Sequence, residues 1–300
     1  MKQYGKAIIL ASLILTATLA LSRTMPLVAA SEGNQPQQGQ QTQQPAQQPP
    51  APPTAGQPQT EPPQPRLLAN DQAEADAWTA LSNEQDPAKR VVAINEFLEK
   101  FPQAGLKAHA YASLSALHLS LGDADKTVAF GEKAVELDPD RPDVLAILSQ
   151  LYARRSRLGE LDYRAKMQKA ETYAKHSLEL IETLPKPAGM ADDQFMRHKE
   201  TIAIMAHSGL GVTYFNSRRY ALAVDELKVA TEPKYAQVDP VDFYVLGLAY
   251  MNTQKYAEAV TALQRAYDET QGPFKDVVNQ QLANAKRLAA NPPTPAPPKP

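Results

Sequence analysis

An internal repeat restricts the fold of this chain more than any other feature of its sequence. Residues 111–118 begin with a bulky residue, contain Leu-Ser and end with a ring-bearing residue. Residues 145–152 repeat this order 34 positions later. Residues 207–214 and 243–250 share a bulky residue, Leu-Gly and Tyr, at a shift of 36 residues. The Leu and Tyr of each pattern lie one helical turn apart, on one face of a helix. Self-similarity at this interval predicts stacked two-helix units.

The composition of the middle of the chain agrees with helices. Glycine is scarce, with 13 residues, and most of the 26 prolines cluster near the two ends. The middle is rich in Ala, Leu, Glu, Lys and Tyr, a composition that favours helices over strands. We therefore expect an all-α fold.

The second helix of the last two units has its own pattern, Ala, Leu and Ala, found at Ala223, Leu227 and Ala230 and again at Ala259, Leu263 and Ala266. Together with the first-helix pattern, these residues resemble the tetratricopeptide repeat, and the resemblance covers roughly two-thirds of the chain. It implies a solenoid of helical hairpins. The paired helices are expected to cross at small residues, namely Gly211, Ala223, Gly247 and Ala259.

The array is expected to hold about five hairpins and a C-terminal capping helix between residues 67 and 290. It divides loosely into residues 67–184 and 191–290. Asp86-Pro87 predicts the start of the second helix of an atypical first hairpin. The capping helix follows Pro273, and its apolar stripe is Phe274, Val277, Val278, Leu282, Ala285 and Leu288.

The third hairpin differs from the others in length. It has about nine extra residues between Tyr152 and Ala170, so we expect its helices to extend beyond the usual turn. The fourth hairpin has a long N-terminal lead from Ala191.

The N-terminus has the order of an export signal. Lysines precede an apolar run from Ala7 to about Ser22, and small residues at 28–30 complete the pattern. This predicts a signal peptide over residues 1–30, cleaved before Ser31, and an exported protein that is periplasmic or extracellular. The alternative is an uncleaved N-terminal anchor facing the periplasm, for which an apolar run of roughly 16 residues is short.

Two Pro-rich segments flank the array. Residues 31–66 are dominated by Gln, Pro, Ala, Gly and Thr, and residues 291–300 repeat this composition. Such segments cannot bury enough apolar surface to offset the entropy of ordering, so we expect a disordered spacer and tail. The spacer is interpreted as a solvated tether; crossing a cell-wall layer or docking in a proline-recognising groove are the alternatives.

No residue pattern predicts catalysis or a cofactor. The absence of cysteine excludes thiolate metal sites and a cysteine nucleophile. The five histidines show no metal-ligand spacing, and His118 and His207 occupy ring positions of the repeat, where we expect them to pack. A net charge of −2 offers no broad basic field to a nucleic acid. The sequence predicts a non-enzymatic protein without cofactor, metal, small-molecule substrate or nucleic-acid partner.

The concave side of the array is the expected place for a partner. Aligned repeats place the following first-helix residues there in the first half: His109, Ala112, Ala116, Asp143, Ala146, Gln150 and Arg154. In the second half they place Met205, Ser208, Val212, Phe215, Asn216, Tyr244, Leu248, Met251 and Asn252 there. The favoured binding groove consists of Gln150, Arg154, Phe215, Asn216, Tyr244, Leu248, Met251 and Asn252.

Two roles remain open for these groove residues. The asparagines are candidates to hold a peptide backbone, and Phe215, Tyr244 and Met251 are candidates to accept apolar side chains. In the alternative, the aromatic residues pack against the capping helix or a neighbouring repeat.

The leading functional hypothesis is an extracytoplasmic scaffold or adaptor that binds an unidentified protein or peptide through this groove. The alternative is a structural, oligomeric component of a cell-envelope assembly without a dedicated groove. Contact with a membrane is expected only if the signal sequence remains uncleaved.

Overall fold

The computed structural model describes residue 70, residues 72–187 and residues 189–293. Within these residues all regular structure is α-helical. The helices are α1 (Gln72–Ser82), α2 (Pro87–Lys100), α3 (Lys107–Ser120), α4 (Ala124–Leu137), α5 (Pro142–Arg155), α6 (Tyr163–Glu182), α7 (Asp192–Asn216), α8 (Tyr220–Thr231), α9 (Pro240–Asn252), α10 (Tyr256–Glu269) and α11 (Phe274–Ala290). The predicted signal peptide and spacer, and the end of the tail, lie outside the described residues.

The helices pair in chain order. Five hairpins form, α1–α2, α3–α4, α5–α6, α7–α8 and α9–α10, and each packs on the next, with α11 packed on α10. The prediction of an all-α array of about five hairpins with a capping helix is confirmed. Four residues of the predicted capping stripe, Phe274, Val278, Leu282 and Ala285, are buried.

Several helices begin where the sequence supplies a cap. The Asp86 carboxylate accepts hydrogen bonds from the backbone N–H groups of Ala88 and Lys89, and Pro87 is the first residue of α2. A side-chain acceptor at this position satisfies backbone donors that have no partner within the helix. Asp123 caps α4 and Asp239 caps α9 in the same way.

The paired helices cross at the predicted small residues, and a leucine fills each crossing. A Cβ atom added at Gly247 would lie 2.5 Å from Cγ of Leu263, and one at Gly211 would lie 2.6 Å from Cγ of Leu227. Ala259 and Ala223, the alanines expected at these crossings, are fully buried. The leucine that meets each glycine lies one turn further along the second helix, and the sequence did not predict it.

The second and third hairpins fill the same crossing differently. Serine replaces the glycine, and its hydroxyl donates to a backbone carbonyl of the second helix: Ser115 to Thr127 O at 2.9 Å and Ser149 to Ala170 O at 2.8 Å. Opposite Ser115 the leucine position holds Gly131, whose added Cβ would lie 3.1 Å from the serine Oγ. The two helices therefore still approach closely at Ser115, because the larger side chain now belongs to the first helix and the glycine to the second helix.

The positions of these two hydrogen bonds in the sequence also show the length of the insertion in the third hairpin. Ala170 follows Thr127 by 43 residues instead of the 34 of the repeat, which confirms about nine extra residues. They form the loop between α5 and α6 and lengthen α6 to 20 residues. α5 keeps the 14 residues of α3, so the expected extension applies to one helix of the pair. The long lead of the fourth hairpin is part of α7, which has 25 residues.

The buried apolar residues form separate clusters along the array. One cluster of buried residues runs from α5 to α11, across the loop at 183–191 that was expected to separate the two halves. A second cluster joins α1, α2 and α3 around Trp78, Ile94, Phe97 and Leu114. The hairpins from α5 onward thus share one core.

Candidate protein-binding face

The second half of the predicted groove is filled by the chain itself. Tyr244 is fully buried, and its ring meets that of Phe274 in the capping helix at 5.1 Å between centroids, with the planes at 74°. Phe215 is buried against Tyr220, at 5.5 Å between ring centroids. Packing against the capping helix, one of the alternatives for the aromatic residues, describes Tyr244 in this structure. Phe215 packs instead on Tyr220, in the second helix of its own hairpin.

Leu248 and Met251 are also buried. These two side chains and the rings of Phe215 and Tyr244 have little or no surface to offer a partner in this conformation. The Tyr244 hydroxyl has no hydrogen-bond partner among the described residues, and burial raises the pKa of this group.

The two asparagines use their amide groups within the array. Asn216 donates its Nδ2 hydrogen to Ala153 O at 2.8 Å, which ties the end of α7 to the end of α5. Asn252 is exposed, and its Nδ2 donates to Leu248 O at 2.8 Å in its own helix. A role for either in holding a peptide backbone stays a prediction.

Arg154 is the centre of a buried polar cluster, which we call the Arg154 cluster. Its Nη1 lies 2.5 Å from Asp239 Oδ2, and its Nη2 lies 2.7 Å from Asp242 Oδ1. The same Nη2 donates to Ser208 Oγ at 3.0 Å, and Ser208 in turn donates to Asp242 Oδ1 at 2.7 Å. Gln150 donates to Ser208 Oγ at 3.1 Å. One guanidinium thus joins the first helices of three successive hairpins, α5, α7 and α9.

The cluster is strongly desolvated. Arg154 is 8% exposed and Asp242 is 1% exposed. Burial raises the pKa of Asp242, and the negative charge of Asp239 raises it further, while Arg154 and the Ser208 hydroxyl lower it. The loss of hydration on burial outweighs the attraction of Arg154, so the net shift of the pKa is upward. The Asp242 Oδ2 atom has no hydrogen-bond partner among the described residues.

Sequence reasoning placed Arg154 in the groove but did not find its partners. Asp242 lies 88 residues further along the chain, and no spacing rule joins residues so far apart. The available signal was an aspartate inside a helix, α9, that is otherwise almost wholly apolar. Such a residue is rarely buried without a charged partner.

The first half of the concave side is less covered. We call the surface formed by His109, Ala116, Asp143 and Gln150 the first-half face; Ala116 is exposed and the other three are half-buried. Ala112 and Ala146 are buried beneath it. Because the four residues repeat at a shift of 34 on α3 and α5, they occupy matching positions on neighbouring first helices. Its floor is alanine, so a partner backbone could approach both helices closely.

The polar groups of this face come from both helices. The His109 ring meets the Trp78 ring at 5.0 Å, and its Nδ1 lies 3.5 Å from Arg141 Nη2. Burial, followed by the charge of Arg141, lowers the pKa of His109, so the ring is neutral at pH 7. Arg141 also lies 3.8 Å from the Asp143 carboxylate. The face therefore offers a neutral imidazole, a guanidinium and a carboxylate.

The other predicted histidine positions are structural. His118 is buried, and its ring stacks on Phe130 at 5.4 Å with an interplanar angle of 12°. His207 is half-buried, and its Nδ1 lies 2.7 Å from Glu226 Oε2 on the second helix of the same hairpin. Both side chains pack within hairpins, as the sequence predicted.

No group of three or more His, Cys, Asp or Glu side chains in the part of the chain that the structure describes has the arrangement of a metal site. None of the helices α1 to α11 has the length and apolar character required to cross a bilayer.

Comparison with known proteins supports the repeat assignment. The family model described as tetratricopeptide repeat matches residues 108–141 and 243–270, which cover most of α3–α4 and of α9–α10. No curated protein sequence matches the chain.

Several solved structures resemble the chain, among them TTC0263, PilW and Acl4. TTC0263, a thermophilic tetratricopeptide-repeat protein of Thermus thermophilus, shares 17% identity over 72% of this chain and 100% of that chain, with a TM-score of 0.43. PilW, a widely conserved type IV pilus biogenesis factor, shares 15% sequence identity over 74% of this chain and 94% of that chain, with a TM-score of 0.44. Acl4, the assembly chaperone of RpL4, shares 17% sequence identity over 73% of this chain and 98% of that chain, with a TM-score of 0.39.

Likeness at this level says nothing about what this chain binds. The repeat assignment rests instead on the two matched segments and on the crossings of the second to fifth hairpins, which use small residues. The chain thus contains tetratricopeptide repeats at residues 108–141 and 243–270, within an all-α array of hairpins.

Proposed function

We propose that this protein is an exported scaffold that binds a protein or peptide on its first-half face. Tetratricopeptide repeats are protein-interaction scaffolds, and stacked hairpins create extended concave surfaces for this purpose. The observation that carries the choice of face is the contrast in cover between the two halves. Four of the seven residues predicted on the concave side of the first half are exposed or half-buried, whereas six of the nine in the second half are buried.

The chemistry of the face favours an extended or helical peptide segment. Small side chains on adjacent first helices let a backbone approach, and the imidazole of His109 and the carboxylate of Asp143 can then hydrogen-bond to it. The face has few polar groups, and neighbouring side chains hold them in place. Such groups are suited to orienting a bound segment and add little electrostatic affinity.

A photoreactive amino acid at Ala116 tests the proposal in the cell that makes the protein. We expect irradiation to join one dominant protein to this position, identified by mass spectrometry. Ala257 is exposed on α10, a second helix, and is the matched control position. No cross-linked protein at Ala116, or the same set at both positions, would contradict the proposed face.

A blocking substitution provides the second arm. Ala116→Arg puts a long side chain on the open floor, and because Ala116 is exposed the fold should tolerate it. The cross-linked partner should disappear from a neighbouring probe at Gln150, whereas Ala257→Arg should leave it unchanged.

Export is tested separately, by sequencing the N-terminus of the protein recovered from its own cells. A mature chain that starts at Ser31 supports cleavage and export. A chain that retains residues 1–30 in the membrane fraction supports the anchored alternative, and one that retains them in the cytosol contradicts the proposed location.

A further inference from the structure

The loop between α5 and α6, residues 156–162, exposes two leucines that the fold does not use. Leu158 is 78% exposed and Leu161 is 108% exposed, the two largest values for a large apolar side chain among the described residues. Gly159, with φ of 107°, makes the turn between them. The loop belongs to the nine-residue insertion, so no other hairpin of the array has an equivalent. Two large apolar side chains kept in water are unfavourable unless something covers them.

Cations surround these leucines. From Arg155 to Lys166 the chain has four cationic and two anionic side chains, and the Arg155 guanidinium is paired with the Asp125 carboxylate. The two anions, Glu160 and Asp162, lie 3.2 Å and 3.0 Å from the Lys166 ammonium nitrogen. The single ammonium group of Lys166 therefore neutralises half of the loop's own negative charge.

Three exposed arginines form no ion pair with a described residue: Arg157 in the loop, Arg164 at the start of α6 and Arg218 in the turn between α7 and α8. Arg218 belongs to the same surface. Its charge acts on Tyr163, whose hydroxyl donates to Asn216 O at 3.1 Å in the neighbouring hairpin. Unpaired guanidinium groups thus lie in the loop that carries the leucines, at the start of α6 and in the adjoining turn of the next hairpin.

We propose that this loop contacts the surface of an anionic phospholipid bilayer. Leu158 and Leu161 enter the boundary between headgroups and acyl chains, and Arg157, Arg164 and Arg218 hydrogen-bond to headgroup phosphates. Arginine suits phosphate because its planar fork binds two oxygens together. The inference rests on the proposed export, which places the array in a compartment bounded by a membrane.

The geometry favours a bilayer over a protein partner. A fluid bilayer accepts a fully protruding side chain without a matching pocket, whereas a protein would need an apolar pocket with an acidic rim. Two leucines and three arginines give weak, reversible contact, comparable to a single lipid chain. Such contact would orient the scaffold at the membrane without fixing it there.

The cysteine-free sequence permits a site-specific test. Leu161→Cys in the full chain is labelled with a polarity-sensitive fluorophore and mixed with phosphatidylglycerol vesicles. The control is Leu137→Cys, at an exposed leucine near the far end of α4 from Asp125, whose carboxylate contacts Arg155 beside the loop. Twelve residues of helix separate these ends by about 18 Å.

The proposal expects a blue shift and a severalfold rise in emission at Leu161→Cys, and neither at Leu137→Cys. Phosphatidylcholine vesicles should give a smaller change, and Arg157→Gln with Arg164→Gln should lower vesicle affinity about thirtyfold. An uncleaved N-terminal run would bring both labelled variants to the vesicles alike, so the difference between them still reports on the loop.

Three results would overturn the proposal: no spectral change at Leu161→Cys with phosphatidylglycerol vesicles, an equal change at Leu137→Cys, or a change that follows protein concentration without vesicles. The last would identify a second copy of the chain as the partner. None of these results bears on cross-linking at Ala116, so failure here is distinguishable from failure of the proposed function.

Discussion

At the scale of single residues, the crossing of paired helices depends on matched volumes. Gly247 has no room for a methyl group, because Leu263 occupies the space that its Cβ would need. We expect Gly247→Ala to destabilise the fold by about 1–3 kcal/mol, although alanine is the better helix former. Urea unfolding followed by circular dichroism measures this change.

The same glycine allows a matched double-mutant cycle. Leu263→Ala removes the side chain that would clash, so Gly247→Ala should cost less in that background than in the native one. Equal costs in the two backgrounds would show that Leu263 does not fill the crossing.

Substitutions at Tyr244 distinguish a packing role of its ring from a binding role. Since its ring is buried against Phe274, Tyr244→Ala should destabilise the fold by about 3–5 kcal/mol. Tyr244→Phe keeps the ring and removes a buried hydroxyl that has no described partner, so it should cost less than about 1 kcal/mol. A Tyr244→Ala variant as stable as the native protein would place this ring on the surface, contrary to the structure.

At the scale of helices, the Arg154 cluster holds three hairpins together. Arg154→Met leaves two carboxylates, those of Asp239 and Asp242, without their cation. We expect a loss of about 3–5 kcal/mol in the free energy of unfolding at pH 7. The neighbouring Arg155 is the control: it pairs with Asp125 in the open, and Arg155→Met should change stability by less than about 1 kcal/mol. Equal effects of the two substitutions would contradict a buried cluster.

Glu171 links α6 to the fourth hairpin and makes stability depend on pH. Its Oε2 lies 2.5 Å from Arg219 Nη2, and this hydrogen bond lowers the pKa of Glu171 to about 2. Because the folded pKa lies below the unfolded value, the stabilisation is complete above pH 4.5 and is lost as the pH falls toward 2. It amounts to about 1 kcal/mol, since solvent screens a pair that is partly open to water.

Glu171→Gln should therefore flatten the fall in stability between pH 4.5 and 2, measured by thermal unfolding across this range. Glu182→Gln, at an exposed position at the end of the same helix, should leave the profile unchanged. A native profile in Glu171→Gln would show that this ion pair does not contribute.

At the scale of the whole molecule, the sequence predicted the fold better than the site. The spacing of Leu, Gly, Tyr and Ala within a hairpin is local, and it predicted five hairpins, a capping helix and a nine-residue insertion. It identified the glycines of the crossings but not the leucines that fill them, because that pairing depends on how far one helix slides along the other.

The repeat pattern could not predict which groove residues are buried. Aligned positions indicate which side of a first helix faces inward, but not how closely successive first helices approach. Gly209 illustrates the difference: a Cβ there would meet the backbone of Gln150 at 2.9 Å, so α5 and α7 pack in direct contact. The sequence explained Gly211 by the repeat and gave no reason for Gly209. This close packing is what buries Arg154 and Ser208.

Thiol labelling tests the central claim, an array whose concave side is open in the first half and filled in the second. In the cysteine-free chain, Ala116→Cys and Leu248→Cys are compared under native conditions, after urea unfolding has shown that both fold. We expect Ala116→Cys to react with a thiol reagent at nearly the rate of an unfolded peptide. Leu248→Cys, at a position that is 1% exposed, should react at least about a hundredfold more slowly because labelling requires local opening. Equal rates at the two positions would contradict the account.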